Sequence, residues 1–195
     1  MAGSRTGSGG GRSPAAERIL TVASQLFYEK GIRAVGVNAI ADRAQVTKVT
    51  LYAHFGSKDG LVAAHLRSRD ARWQAELGER LAAAGAPGER LAAIFDAYQA
   101  WAVADDFRGC GFVNAAAELA DLDHPARAVI SEHKASVAAQ LEDAAAAAGC
   151  PSPGEVAEEC LLLLEGAAVT AALRRDTEPL QRARRAALRL LPSSN

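Results

Sequence analysis

Residues 13–66 read SPAAERILTVASQLFYEKGIRAVGVNAIADRAQVTKVTLYAHFGSKDGLVAAHL. Ser13 before Pro14 is a helix start, with a hydroxyl to cap the first free N–H groups and a proline where no N–H is needed. Ile19, Val22, Ala23, Leu26 and Phe27 follow at helical spacing, and Gly31 ends the run. A second helix is expected from about Val37 to Arg43, with Val37, Ile40 and Ala41 turned inward. Ala44-Gln45-Val46 makes the turn, and Thr47 caps a third helix that ends near His54. Gly56 breaks the chain, and Ser57 caps a long helix from Lys58 to about Ala84. Two short helices across a tight turn, the second ending in the aromatic and basic cluster TLYAHFGSK, form a helix–turn–helix pattern. Such a motif projects a short helix far enough to reach base edges in the DNA major groove.

Outward from this head the pattern stays helical. Glu89 to Ala104 carries Leu91, Ile94, Phe95, Tyr98 and Trp101 on one side, and DDFRGCG at residues 105–111 is a loop. A short helix is expected from Phe112 to about Ala120, and a long one from Pro125 to Gly149. Ser152 with Glu155 reads as a capping box for a helix running to about Arg175. A last helix covers about 179–191. No stretch alternates with period two, so no strand is expected. The fold class is all-α, about nine helices: a flexible arm (1–12), a three-helix head (13–57) and a helical body (58–195).

The chain has 195 residues and a net charge of −1, with 49% apolar residues. That is enough to bury a sizeable core. Residues 1–60 hold eight Lys/Arg and four Asp/Glu, or +4, and residues 61–195 hold fourteen and nineteen, or −5. A basic first third suits a polyanion, and an acidic remainder does not. No apolar run approaches the ~20 residues that span a bilayer, and the N-terminus lacks the apolar core of a secretory signal. A cytoplasmic protein without a membrane partner is expected. Cys110, Cys150 and Cys160 are odd in number and widely spaced. They form neither a metal motif nor a disulfide framework, and no cofactor is expected.

On the third helix Leu51 and Phe55 share a face that can pack on Ile40 and on Leu26 and Phe27. Val49, Tyr52 and Ala53 are left on the opposite side, with Thr50 and His54 at its margin. Thr47 and Lys48 occupy the first turn. Hydroxyls and an ammonium suit phosphate oxygens, and Val or Thr methyls can meet the thymine methyl group. Asn38 offers an amide that can pair with adenine. Lys58 sits in the first turn of the fourth helix, where free N–H groups and an ammonium favour an anion. Asn38, Thr47, Lys48, Val49, Thr50, Tyr52, His54 and Lys58 are thus the candidate DNA-binding residues.

The run ILTVASQLFYEKGIRAVGVNAIADRAQVTKVTLYAHFGSKDGLV resembles the TetR family of transcriptional regulators. The matching elements are Ala23, Leu26-Phe27, Gly31, Ile40-Ala41, Val46-Thr47-Lys48, Thr50-Leu51-Tyr52, His54-Phe55 and Ser57-Lys58. The stretch FRGCGFVNAAAELADLDHPAR (107–127) resembles the regulatory domain of one subgroup. Three positions depart from the family pattern. Gly36 stands where Ser or Thr is usual, Gln45 where Gly is usual, and Val49 where a small residue or proline is common. A Gln held at positive φ would be strained.

The resemblance implies a homodimeric repressor that reads a palindromic operator in double-stranded DNA and is released by a small-molecule inducer of unknown identity. Half-sites one helical turn apart, ~34–36 Å, suit such a dimer. It places the dimer contact on the last two helices, where Leu161, Leu162, Leu164, Ala168, Leu173, Leu188 and Leu191 supply the apolar seam. Candidates for the ligand pocket are Trp73, Phe95, Tyr98, Trp101, Phe112, Asn114, Glu118 and His133, on the helices that surround such a pocket. Three other readings compete. A ligand-binding helical dimer could act through a protein partner. A small all-α enzyme could use Glu118, His124 and His133, but no metal spacing and no nucleophile–base pair stands out. Nonspecific DNA compaction is the third.

Overall fold

The computed structural model describes residues 12–192, so all but the last residue of the expected arm lies outside the described part. The described residues form nine α-helices and no strand. They are α1 (Pro14–Lys30), α2 (Val37–Arg43), α3 (Lys48–Phe55), α4 (Lys58–Ala83), α5 (Pro87–Ala104), α6 (Gly111–Glu118), α7 (Ala126–Ala147), α8 (Pro153–Arg174) and α9 (Glu178–Leu188). The chain divides into two compact units between His65 and Leu66. The sequence break at Gly56-Ser57 lies nine residues before this division. The first turns of α4 belong to the head unit because Leu61, Val62 and Ala63 are buried. Ser24 Oγ also lies 2.8 Å from His65 Nδ1, and the Phe27 and His65 rings meet edge to face at 5.6 Å.

In the head unit α1, α2 and α3 all pack on one another. Ile19, Ala23, Ile40 and Leu51 are wholly buried or nearly so. Complete burial of one such large side chain contributes about 1.5–3 kcal/mol. Ser13 Oγ accepts from the Ala16 N–H at 3.2 Å, Thr47 Oγ1 from the Thr50 N–H at 3.1 Å and Ser57 Oγ from the Gly60 N–H at 2.9 Å, so the three expected caps form. Gly36 precedes α2 with no side-chain cap. Helix α2 ends in a Schellman motif: the Val46 N–H bonds to the Ala41 carbonyl at 3.0 Å and the Gln45 N–H to the Asp42 carbonyl at 3.1 Å. This motif requires a left-handed residue, and Gln45 takes it at φ 54°. A side chain in this region costs about 1–2 kcal/mol.

One glycine fixes the α3–α4 corner. A Cβ on Gly60 would stand 2.1 Å from the Phe55 carbonyl oxygen, so only glycine lets α4 start this close to the end of α3. Gly78, later in the same helix, has nothing within 4 Å of the corresponding point.

In the body unit α8 packs on both α7 and α9, and α5 packs on α7, α8 and α9. Leu77, Leu91, Ile94, Phe95, Val137, Leu141 and Leu164 are among the large members of its core, with Trp73, Tyr98 and Leu180. Ala144, Ala157, Ala171, Ala183 and Ala187 are buried among them, and small side chains at helix contacts allow close axial approach. The expected capping box at Ser152 is absent: Ser152 makes no side-chain cap, its backbone lying at φ −127°, ψ 72° rather than extended. A carboxylate that does cap a helix start is Glu89. It accepts from the Ala86 N–H at 3.0 Å and the Gly85 N–H at 2.8 Å, and these bonds hold its pKa below the usual glutamate value.

Candidate nucleic-acid interface and ligand cavity

Helix α3 has one buried side and one bare side. Leu51 is completely buried and Phe55 half-buried, so this edge is fixed against the head core. Val49 is 78% exposed and Tyr52 45%, and Lys48 and Ala53 are exposed beside them. An exposed valine alone is ordinary. An exposed valine, tyrosine and lysine on one eight-residue helix, opposite a wholly buried leucine, form a surface aimed outward.

The remaining candidates surround that surface. Thr47 is partly committed, since its oxygen serves the cap and lies 2.9 Å from Thr50 Oγ1. Two hydroxyls sharing one hydrogen bond still leave one O–H free to donate to a phosphate. His54 is exposed at the end of α3, and its Nε2 lies 3.4 Å from Ser13 Oγ. It therefore also ties α3 to the start of α1. Asn38 is exposed in the first turn of α2. Lys58 is half-buried as the first residue of α4, where the Ser57 hydroxyl accepts from the Gly60 N–H at 2.9 Å.

The body holds a partly open cavity of about 40 Å³. Five of the expected pocket residues line it: Trp73, Tyr98, Trp101, Phe112 and His133. The other three do not. Phe95 is swallowed by the core, Asn114 is exposed and donates to the Arg108 carbonyl at 2.7 Å, and Glu118 is half-buried at the end of α6 away from the cavity lining. Sequence reasoning missed Arg69, Asp105 and Cys110, which also line it. Arg69 was legible in principle, standing four residues before Trp73 on the same face of α4. Asp105 was not, because its place depends on how the loop after α5 folds back.

The walls are aromatic and the charges are paired. Trp73 meets Tyr98 edge to face at 4.8 Å and Trp101 at 5.4 Å. His133 stacks on Phe112 at 3.6 Å and lies 2.7 Å from an Asp70 oxygen, so Nδ1–H donates to the carboxylate. Burial lowers the His133 pKa from the ordinary histidine value, and the Asp70 bond opposes it. Arg69 pairs with Asp105, and Lys134 with Glu165. Burial raises the Tyr98 pKa well above the phenolic value, with Cys110 and Glu165 adding to the rise, so Tyr98 stays neutral. Among the described residues no cluster could hold a metal ion, and no helix is long and apolar enough to cross a membrane. The three cysteines are free: Cys150 and Cys160 are buried, and burial pushes the Cys160 thiol up to about 11.

The expected dimer seam needs correction. Leu164 and Ala168 are buried in their own chain, and Ala168 lines the cavity, so neither can meet a second copy. Leu188 and Leu191 are partly buried beside Gly88 of α5, and Leu161 also packs against the core. Leu162 at 74% and Leu173 at 81% exposure remain, joined by Val169, which sequence reasoning passed over. These three recur at i, i+7 and i+11, a helical stripe along α8.

Comparison with known proteins agrees with these two units. Residues 19–65 match the model of bacterial regulatory proteins of the tetR family, and residues 87–187 match the tetracyclin repressor-like C-terminal domain. The second match alone covers more than half of the chain. The chain belongs to the TetR family. It is therefore a DNA-binding transcription regulator with a helix–turn–helix head, and not an enzyme. The crystal structure of SCO4454, a TetR-family transcriptional regulator from Streptomyces coelicolor, superposes with a TM-score of 0.85 at 28% identity, covering 92% of this chain and 96% of that one. The repressor NemR of Escherichia coli is 26% identical over 86% of this chain and 88% of its own length. The regulator Rv1255c of Mycobacterium tuberculosis is 35% identical over 77 residues, 40% of this chain, so the match spans about two-fifths (38%) of that relative's length.

Proposed function

We propose that this TetR-family protein is a homodimeric repressor that holds a palindromic operator through α3 and releases it when a small molecule enters the body. The observation that carries the proposal is the bare face of α3, with Lys48, Val49 and Tyr52 exposed opposite the buried Leu51. On this reading Val49 meets a thymine methyl and Lys48, Tyr52 and the free hydroxyl of Thr47 or Thr50 meet phosphates. Lys58 and the N–H groups that open α4 add a further phosphate contact. Asn38 reaches from α2, and His54 steadies α3 from its far end. By function the head is assigned to residues 13–57 and the regulatory body to residues 58–195, with the first turns of α4 packed into the head's compact unit. Repression, rather than activation, is supported by the similarity to NemR over most of both chains. The exposed stripe of Leu162, Val169 and Leu173 supports pairing of two copies through α8, with α9 beside it.

Selection from randomised duplex DNA tests the proposal. An inverted repeat with half-sites one turn apart, bound at least ~10³-fold more tightly than random duplex, is the expected result. Recovery of no preferred sequence would overturn it.

A further inference from the structure

We infer that the body cavity binds a small, uncharged aromatic molecule bearing a hydrogen-bond acceptor oxygen, of the aryl ketone or aryl ester class. The inference rests on the ligand-response part of the proposal above and gives that ligand a chemistry. Two buried polar atoms of the cavity walls have no hydrogen-bond partner: Arg69 Nε and Trp73 Nε1. Both residues are more than nine-tenths buried. Both atoms are N–H donors with no acceptor function. A buried donor left unpaired is costly, so the site is incomplete without an acceptor.

The charge of the ligand follows from the pairs around it. The Arg69 guanidinium is already neutralised by Asp105 and Lys134 by Glu165, and the His133 ring, which burial favours in its uncharged form, commits its Nδ1–H to Asp70. An anion would have to sit beside the Asp105 carboxylate or break its bond to Arg69. A cation would meet a guanidinium and two donors. A neutral acceptor meets neither obstacle.

Shape and size come from the walls. Trp73, Tyr98, Trp101 and Phe112 offer flat apolar faces and edges, which suit another planar ring. A volume of about 40 Å³ takes about three waters at 10–15 Å³ each, or roughly 90 Å³ of liquid. That is less than the roughly 150 Å³ of a cavity that encloses benzene, so a one-ring ligand fits by extending through the open side of the cavity. Room beside Arg69 depends on the residue facing it. A Cβ on Gly111 would stand 2.8 Å from the Arg69 Nε, so only glycine at the start of α6 lets the Arg69 side chain pack into the cavity wall.

Only two tryptophans occur in the chain, Trp73 and Trp101, and both line the cavity. Trp101 Nε1 already donates to Glu76, so only one of the two indole N–H groups lacks a partner. Full-length protein labelled with ¹⁵N-tryptophan therefore gives two indole signals with different histories. Glu76→Gln identifies the Trp101 signal, and Trp101→Phe, where it folds, confirms the other. The probes are acetophenone, its hydrocarbon isostere α-methylstyrene, and benzoate. Acetophenone should move the Trp73 signal downfield and bind about 10-fold more tightly than α-methylstyrene, the usual consequence of one buried hydrogen bond left unmade. Benzoate should bind more weakly than acetophenone. Equal affinity for ketone and hydrocarbon, tightest binding of benzoate, or a Trp73 signal unmoved by all three would each overturn the inference. Gel shifts on the same sample separate the two proposals. Operator binding without ketone preference defeats the ligand class alone, and ketone preference without operator binding defeats the regulator mechanism alone.

Discussion

Lys48→Ala isolates the electrostatic part of DNA binding. Lys48 is the first residue of α3, exposed and in no ion pair among the described residues. A cation at a helix N-terminus also opposes the helix dipole. Its removal therefore costs the free protein nothing it uses, and stability should change by less than about 0.5 kcal/mol. On the complex the effect is large and has a signature. Each phosphate neutralised contributes about −0.9 to the slope of log affinity against log salt. A dimer brings two copies of Lys48, so the variant's slope should be less negative by about 1.8. The wild-type advantage should then shrink about 3.5-fold for every doubling of salt, on operator and random duplex alike. Fluorescence anisotropy with a labelled duplex, titrated from low to high salt, measures both slopes. Parallel lines for the two proteins would refute the placement of Lys48 at the phosphates.

Three further outcomes are expected. Gln45→Gly relieves the left-handed side chain at the end of α2, offset in part by the entropy of an added glycine, and should raise Tm by about 2 °C; a fall would mean that the Gln45 side chain holds the turn. Gly60→Ala and Gly78→Ala should act in opposite directions on thermal stability. The first drives a Cβ against the Phe55 carbonyl and costs about 1–3 kcal/mol, and the second gains about 1 kcal/mol of helix propensity in open space; equal shifts would show the α3–α4 corner to be slack. Leu162→Glu places a charge on the α8 stripe and should yield monomers in light scattering, and an unchanged dimer would put the interface elsewhere.

The head was legible because its signals are local. Ser13, Thr47 and the apolar spacing of Ile19, Ala23, Leu26 and Phe27 each act within a few residues of where they stand, and both caps and the buried stripe formed as expected. The body was legible only as helices. Leu161, Leu162 and Leu164 are adjacent leucines with the same chemistry, yet Leu164 is core and Leu162 is bare. That distinction depends on how α8 is rotated against α7 and α9, a tertiary fact that no local pattern carries. The cavity divides the same way. Trp73, Tyr98 and Trp101 announce themselves as large aromatics, and Arg69 shares a helix face with Trp73, but its partner Asp105 reaches the cavity only through the fold of the loop after α5.

The central claim is that the bare face of α3 lies in the major groove. Dimethyl sulfate interference on the selected operator tests it directly, because methylation strikes guanine N7 in the major groove and adenine N3 in the minor groove. Loss of binding on guanine N7 methylation, in two patches about one helical turn apart, is the predicted pattern. Interference confined to adenine N3, with methylated guanines tolerated throughout, would contradict it.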